Sequence, residues 1–357
     1  MGEQITQNPM NILLELPGNS LSYVIKALVD TILRNSANNS ILPTPDEVYA
    51  ALSKELSYIT PLENQLIMNI SVIQPFKVFR GLTLVGIDSS SFVFRGHPLR
   101  LIIARSGVFV YSQRTMKILR VFNPFKYVLG IVHSLDDELD EEISRFESRC
   151  MSYVEIKTAE TIAKTVSDLV DIIFFDGPIF TKHNYDLMLD LLKLLKEKNI
   201  ISFHVVKNCT SSKIMSASGY FGLLDSDFFS YYLKPGQRSC FMIWKKVIIG
   251  NKEINVPEEF LPVFAYFMTW KKQLLRVEVP KWIYDKYGLE LIERIIVSDI
   301  ILGNKETSYM ISRADRLAKF SERERRMLEF NLRVLAQRLG FSSPEFYNQK
   351  RWWIREM

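Results

Sequence analysis

The chain is poor in the residues that build zinc sites, disulfide frameworks and membrane spans. Its three cysteines, Cys150, Cys209 and Cys240, stand far apart with no CxxC spacing. That argues against a zinc ribbon or a disulfide scaffold and fits a reducing cytosol. The four histidines, His97, His133, His183 and His204, show no ligand-like spacing, and none follows His204. Long apolar runs are missing too. Leu169–Phe180, among the most apolar stretches, is interrupted by charge and falls far short of the ~20 residues a spanning helix needs. The opening MGEQITQNPMNILLELPGNS has no basic segment ahead of its apolar residues, so no signal peptide is expected. Internal repeats and low-complexity linkers are also lacking. These absences lead to the expectation of a soluble cytoplasmic protein with no membrane partner.

What is present is an ordinary globular composition. Of 357 residues, 47% are hydrophobic and 24% charged, enough apolar surface to bury a real core. The net charge of +5 tolerates a nucleic-acid partner without demonstrating one.

Residues 1–75 read as mainly helical. Tyr23, Val24, Ile25, Leu28, Val29, Ile32 and Leu33 form a stripe at helical spacing, and Pro45 introduces a second helix over 46–56. Residues 76–320 read as the core. Within it, Leu82 to Tyr111 reads as three consecutive strands, with Asp88 ending the first where the chain turns polar at Ser89, Ser90 and Ser91. A helix opens in the acidic run from Asp136 and closes near Asp168, favoured at its start by the helix dipole. The strand DIIFFDGPI then ends in Asp176. An amphipathic helix over 184–198 and a strand over 200–206, closing on Lys207, follow. Further β-type runs are expected at 239–249, 263–270 and 275–279, and helices at 282–297, 309–319 and 321–339, the last opened by a Ser321/Glu324 capping box. This order, β-β-β-α-β-α, predicts one continuous α/β domain with helical additions over 1–75 and 321–357.

Three acids carry the chemistry. Carboxylates at strand ends are common turn formers, but several converging on one spot form the oxygen-rich site that hard cations such as Mg²⁺ and Mn²⁺ require. At ~100° per residue, Glu155 falls on the edge of its helix's apolar stripe, beside Met151, Thr158 and Ile162, and Glu160 falls on the solvent side. A carboxylate at the edge of a buried face needs a partner or a metal, so Glu155 joins Asp88 and Asp176.

GIDSSS and IIFFDGPIF resemble the first motif and the later "DG" motif of the NurA nuclease family. HVVKNCTSSK, DSDFFSYYLKPGQRS, LLRVEVP and SYMISRADRLAKFSERER resemble further family segments in the family's order, across residues 82–326. The resemblance implies a ribonuclease H-like mixed sheet with flanking helices and helical N- and C-terminal additions. It also implies a homodimer that cuts DNA as a single-strand endonuclease and 5′–3′ exonuclease, with Mn²⁺ or Mg²⁺ as cofactor. The implied partner is a HerA-like hexameric translocase, in DNA-end resection, homologous recombination and double-strand-break repair. Carried over by position, Asp88, Glu155 (with Glu160 the poorer alternative), Asp176 and Asp315 are metal ligands, Lys207 sits near the scissile phosphate, and Tyr309 is the motif tyrosine.

The chain departs from the family in two places. Asp315 stands where the family often has a catalytic His, and Met310 where Pro follows the tyrosine. Asp315 can ligate a hard cation but cannot do the proton transfer of a neutral imidazole at pH 7. A second expectation is therefore a NurA-like subunit that binds DNA or the motor and cuts weakly or not at all. The terminal Lys350, Arg351, Trp352, Trp353 and Arg355 fit stacking on single-stranded DNA or, preferred here, packing onto the body or a second copy.

Overall fold

The computed structural model describes residues 42–338, apart from 55–57, 72, 96–98, 114–116, 121–126, 134–139, 208 and 250–251. The expected helix around 23–33, the start of the acidic run, His97 and the Trp352–Trp353 tail lie outside the described residues.

The first described helix, α1 (Pro45–Leu52), is opened by a capping box between Thr44 and Glu47, with Pro45 in its first turn. Two short strands, β1 (Ile59–Pro61) and β2 (Ile67–Asn69), and a single turn of helix, α2 (Pro75–Val78), follow. The stretch from 59 to 75 is therefore not the helical region the sequence predicts. Its β-branched residues are drawn into distant pairings with β10 (Met242–Trp244) and β9 (Gln237–Ser239), which override local preference.

The core runs β3 (Thr83–Arg95), β4 (Leu99–Ser112), β5 (Lys117–Arg120), β6 (Tyr127–His133), α3 (Asp140–Thr165), β7 (Ile172–Asp176), α4 (Tyr185–Glu197) and β8 (Ile201–Val206). After it come α5 (Lys213–Ala217), α6 (Asp225–Tyr232), β9, β10, the hairpin β11 (Val247–Ile249) and β12 (Lys252–Ile254), β13 (Pro262–Met268) and β14 (Leu274–Pro280). Three helices, α7 (Lys281–Leu302), α8 (Tyr309–Ala318) and α9 (Glu322–Arg338), close the described chain.

One large mixed sheet is ordered β1-β10-β13-β14-β8-β7-β3-β4, with β5 and β6 both on β4. β3, β7 and β8 are parallel to one another, and β4 and β14 flank them antiparallel. Residues 82–111 hold two long strands of one hairpin rather than three, and Asp88 lies inside β3 rather than at its end. Ser89, Ser90 and Ser91 do not turn the chain, because β4 pairs with them residue for residue as far as Arg95↔Arg100. The hydroxyls of Ser89 and Ser91 bond Glu155 and Glu147 of α3, which satisfies the groups that in isolation favour turns.

Helices cover both faces of this hairpin. Side chains alternate along a strand: Ser106 Oγ meets Thr158 Oγ1 of α3 at 2.8 Å, and its neighbour Gly107 abuts α8. α8 approaches closely at two places. A Cβ on Gly86 would lie 2.3 Å from the Met310 carbonyl oxygen, and one on Gly107 would lie 2.4 Å from the Ala314 oxygen and from the Ala318 nitrogen. The main core gathers Ile87, Phe174, Phe175, Phe203, Ile156 and Ile311 around the central strands.

Candidate active site

The site follows from strand register. β3 and β7 pair in parallel up to Ile87↔Phe175, so the next residues, Asp88 and Asp176, stand level on neighbouring strands. Asp176 is in turn level with Val205 of β8, and Lys207 follows just past that strand's end. Ile172–Phe175 is a fully buried run, as expected of a central parallel strand. The chain is turned away after Asp176 by Gly177, which sits at φ +94, a conformation other residues rarely adopt. Two carboxylates are thereby left level with each other where the parallel pairing of β3 and β7 ends, Asp176 at the carboxyl end of β7 and Asp88 within β3, the side of α/β sheets that binds ligands.

A cleft of about 440 Å³ opens there, and its walls include Asp88, Ser89, Glu155, Asp176, His204 and Lys207. Lys207 Nζ lies 3.0 Å from Asp176 Oδ2 and 4.0 Å from Asp88 Oδ2. Asp88 is only 5% exposed. Its Oδ1 accepts the Ser89 N–H at 2.7 Å, while its Oδ2 is buried without a hydrogen-bond partner. Burial first, and Asp176 next, push the Asp88 carboxyl up to about 7, against the pull of Lys207 and the Ser89 N–H. Burial and the charge of Asp88 likewise hold Glu155 well above the ordinary carboxylate range.

Four of the six candidates, Asp88, Glu155, Asp176 and Lys207, thus line one cleft. Glu160 lies elsewhere, between Lys157 at 2.6 Å and Lys164 at 2.5 Å, and these partners bring its carboxyl down to about 2. Tyr309 and Asp315 do not line the cleft. Tyr309 packs edge-on against Phe109 at 5.5 Å, with the Arg313 guanidinium over its ring. Asp315 pairs with Lys319 at 2.6 Å, and its charge still adds to the rise at Asp88.

Among the described residues no three His, Cys, Asp or Glu side chains form a ready-made cage for an ion. Glu155 is bonded to Ser89, and the positive charge between the two aspartates comes from Lys207. The donor set nonetheless fits a hard divalent cation. It consists of carboxylate oxygens that raise the pKa values of Asp88 and Glu155, and one of them has no hydrogen-bond partner.

One residue that fastens the site, Glu278, escaped the sequence reading. Glu278 Oε2 accepts the Ile179 N–H at 2.9 Å, fastening the turn that follows Asp176 to β14, and Glu278 Oε1 pairs with Arg276 at 2.8 Å. The signal was in LLRVEVP: two opposite charges on one face of an otherwise apolar strand need each other. Glu278→Gln keeps an acceptor for Ile179 but leaves the Arg276 guanidinium without its counter-ion. It is expected to cost about 3 kcal/mol in urea unfolding; an unchanged midpoint would remove the pair from this role. His204, fully buried, stacks on Phe175 at 4.7 Å. Neither ring nitrogen has a partner, and burial brings its pKa to about 3, so it is neutral.

A mixed sheet in the order β6-β4-β3-β7-β8, with α3 joining its antiparallel and parallel halves and acids at the ends of β7 and of the β3–β7 pairing, defines a ribonuclease H-like α/β protein. The model of the NurA domain matches residues 82–320, more than half of the chain. The chain belongs to the NurA family. Its fold is similar to the crystal structure of the NurA nuclease from Sulfolobus solfataricus, at 13% identity and a TM-score of 0.54, covering 89% of this chain and 98% of that one. It is also similar to a crystal structure of NurA with manganese, at 9% identity and a TM-score of 0.50, over 89% and 98% of the two chains. No curated protein matches the sequence.

Proposed function

We propose that the chain is a metal-dependent DNA nuclease, with Mn²⁺ or Mg²⁺ as its cofactor, acting as a single-strand endonuclease and a 5′–3′ exonuclease. The observation that carries this reading is the cleft in which Asp88, Asp176, Glu155 and Lys207 meet, with Asp88 Oδ2 buried and without a hydrogen bond. Family membership and the manganese in a similarly folded NurA structure support it. Asp88, Glu155 and Asp176 would hold the cation, whose contribution when bound is Lewis acidity and a more acidic water. The Lys207 ammonium, with three donors, is placed to hold a phosphate oxygen beside the aspartates. Pro178 and the buried β8 residues His204 and Val206 form part of the cleft wall.

The same reading extends to a homodimer, a HerA-like hexameric translocase and DNA-end resection in the cytoplasm as partners and setting; these rest on the family. Among the described residues no helix is long and apolar enough to cross a membrane. One observation favours the second reading, a subunit that binds without cutting efficiently. Asp315, at the position expected to carry a His, is engaged by Lys319 and lies outside the cleft.

The direct test is digestion of end-labelled single- and double-stranded DNA by the purified chain with Mn²⁺, with Mg²⁺ and with EDTA. Metal-dependent products support the first reading; binding without products under any metal supports the second.

A measurement that does not need turnover follows from the acids. Asp88, Glu155 and the buried Asp299, which is also pushed up to about 7, have native pKa values above their unfolded ones. The stability that Asp88 and Asp299 contribute is therefore full below about pH 4 and lost as pH rises through about 7, and that of Glu155 is lost in the same direction. The metal-free protein is expected to melt lower at about pH 8 than at about pH 5. At about pH 8, Mn²⁺ at a hundred times its dissociation constant should restore about 3 kcal/mol. A melting temperature that Mn²⁺ leaves unmoved would contradict the metal site.

A further inference from the structure

Beside the reaction cleft lies a second one, of about 500 Å³, and the two share Pro178 and Val206 as a common wall. Its polar side is the segment 209–213 that leaves the end of β8, carrying the hydroxyls of Thr210, Ser211 and Ser212 and the ammonium of Lys213. Its apolar side is formed by Pro178, Ile248 and Ile249, with Trp244 beneath.

Buried polar groups hold the polar side in place. Asp225, 1% exposed, accepts the Met215 N–H at 3.0 Å, and its own N–H bonds the Ser211 carbonyl at 2.8 Å. Cys209 Sγ contacts Tyr266 Oη at 3.2 Å and Arg276 Nη1 at 3.0 Å. Arg276 and Trp244, each more than nine-tenths buried, both line the cleft, and each carries a buried N–H with no partner, Nε and Nε1 respectively.

Two cations, Arg276 and Lys213, and two acids, Glu278 and Asp225, act on one another here, but only Arg276 is directly paired. Arg276 is balanced by Glu278. Lys213 is held by the Ile248 carbonyl and by the Trp244 ring, 4.6 Å from its centroid, and not by a carboxylate. Burial and the nearby Arg276 lower its pKa against the opposing pull of Glu278 and Asp225, as expected of a partly buried cation with no directly bonded carboxylate. An anion arriving here would relieve that cost and find the hydroxyls of Thr210 and Ser212 beside it.

We propose that this second cleft binds the nucleotide adjoining the scissile one on a single DNA strand, with Lys213 and Ser212 on its phosphate and Pro178, Ile248 and Ile249 against its base. The inference rests on the reading of the neighbouring cleft as the cutting site. A strand lying in both clefts crosses the shared wall of Pro178 and Val206. The Arg276–Glu278 pair, which fastens the turn after Asp176, then lies at the boundary between the two nucleotides. The side chains reach backbone and base without reading base edges, so the subsite favours single strands over any particular sequence.

The test is fluorescence anisotropy of a short labelled oligothymidylate with the full chain in EDTA, where no cutting occurs. It compares the wild type with Lys213→Glu and with Ser212→Asp, the latter retaining a side chain suited to the start of α5. Lys271→Glu makes the same charge change at an exposed site paired with Glu306. Lys213→Glu and Ser212→Asp are expected to weaken binding about tenfold relative to Lys271→Glu, and Lys213→Glu to lower the salt slope by about one ion. Melting curves identify any variant that fails to fold, leaving the other to decide. Affinities within twofold of Lys271→Glu, with an unchanged salt slope, would overturn the proposal even if the wild type cuts DNA. A wild type that never cuts, yet shows these losses, would overturn the nuclease reading and leave a strand-binding cleft.

Discussion

Asp88→Asn is expected to abolish metal-dependent cleavage of labelled DNA to below about one-hundredth of the wild-type rate, while making the metal-free protein more stable at about pH 8. The two halves of this expectation have one cause. Asp88 is nearly fully buried, has one oxygen without a hydrogen bond and stands level with Asp176 on the adjacent strand. Ionised and without a cation it is a repelled, desolvated charge, which is why its pKa is raised to about 7. Asparagine keeps the shape and an oxygen for the Ser89 N–H, so the fold survives and the repulsion disappears. The same change removes an anionic ligand that a hard cation needs. Opposite signs for stability and activity separate this from ordinary damage to the core, which lowers both. Digestion equal to wild type would remove Asp88 from the site, and a lower metal-free melting temperature at about pH 8 would refute the account of its burial.

Much of this arrangement was legible in the sequence because it depends on local pattern. The apolar run IIFFD ends in an acid followed by Gly177, and that is how a buried parallel strand stops and turns. Glu155 was separated from Glu160 by helical angle alone, and the structure brings the first into the cleft and leaves the second between two lysines. Lys207 came from the family resemblance, and the structure puts it in the same cleft just after β8.

What was illegible depends on pairing at a distance. Ser89–Ser91 read as a turn because serine favours turns locally. Nothing nearby in sequence reveals that β4 continues the ladder past Asp88, or that α3 supplies partners for the hydroxyls. Asp88 is nonetheless at an end, that of its pairing with β7, even though its strand runs on. The short strands β1 and β2 were missed for a similar reason, since their partners lie far along the chain. The motif at Tyr309 and Asp315 placed α8 correctly as a helix. That its backbone lies against Gly86 and Gly107, with Tyr309 and Asp315 outside the cleft, is a fact of tertiary packing.

That close approach carries the other large effect. Gly107→Ala is expected to destabilise the protein by about 3 kcal/mol, within the range for overpacking a tight core, and to lower its melting temperature by roughly 5–10 °C. The new methyl would meet backbone on two sides, the Ala314 oxygen and the Ala318 nitrogen, both at 2.4 Å. No side chain can rotate out of the way, so α8 must lift from the hairpin. Gly86→Ala forces the same movement one turn earlier, against the Met310 oxygen at 2.3 Å. Because both changes displace one helix, the second should cost less in the presence of the first than alone, a coupling that a double-mutant cycle measures. Gly107 is also the residue paired with Asp88 across the hairpin, and Gly86 lies two residues before it. A lifted α8 therefore disturbs the strand that fixes the height of Asp88 against Asp176, and the Mn²⁺-induced gain in melting temperature should shrink along with stability. Gly177→Ala provides the contrast. Nothing lies within 4 Å of its added carbon, and only its φ of +94 is strained, at about 1–2 kcal/mol. Full additivity in the cycle, or a Gly107→Ala protein that melts with the wild type, would mean that α8 is not clamped to the strands by these two glycines.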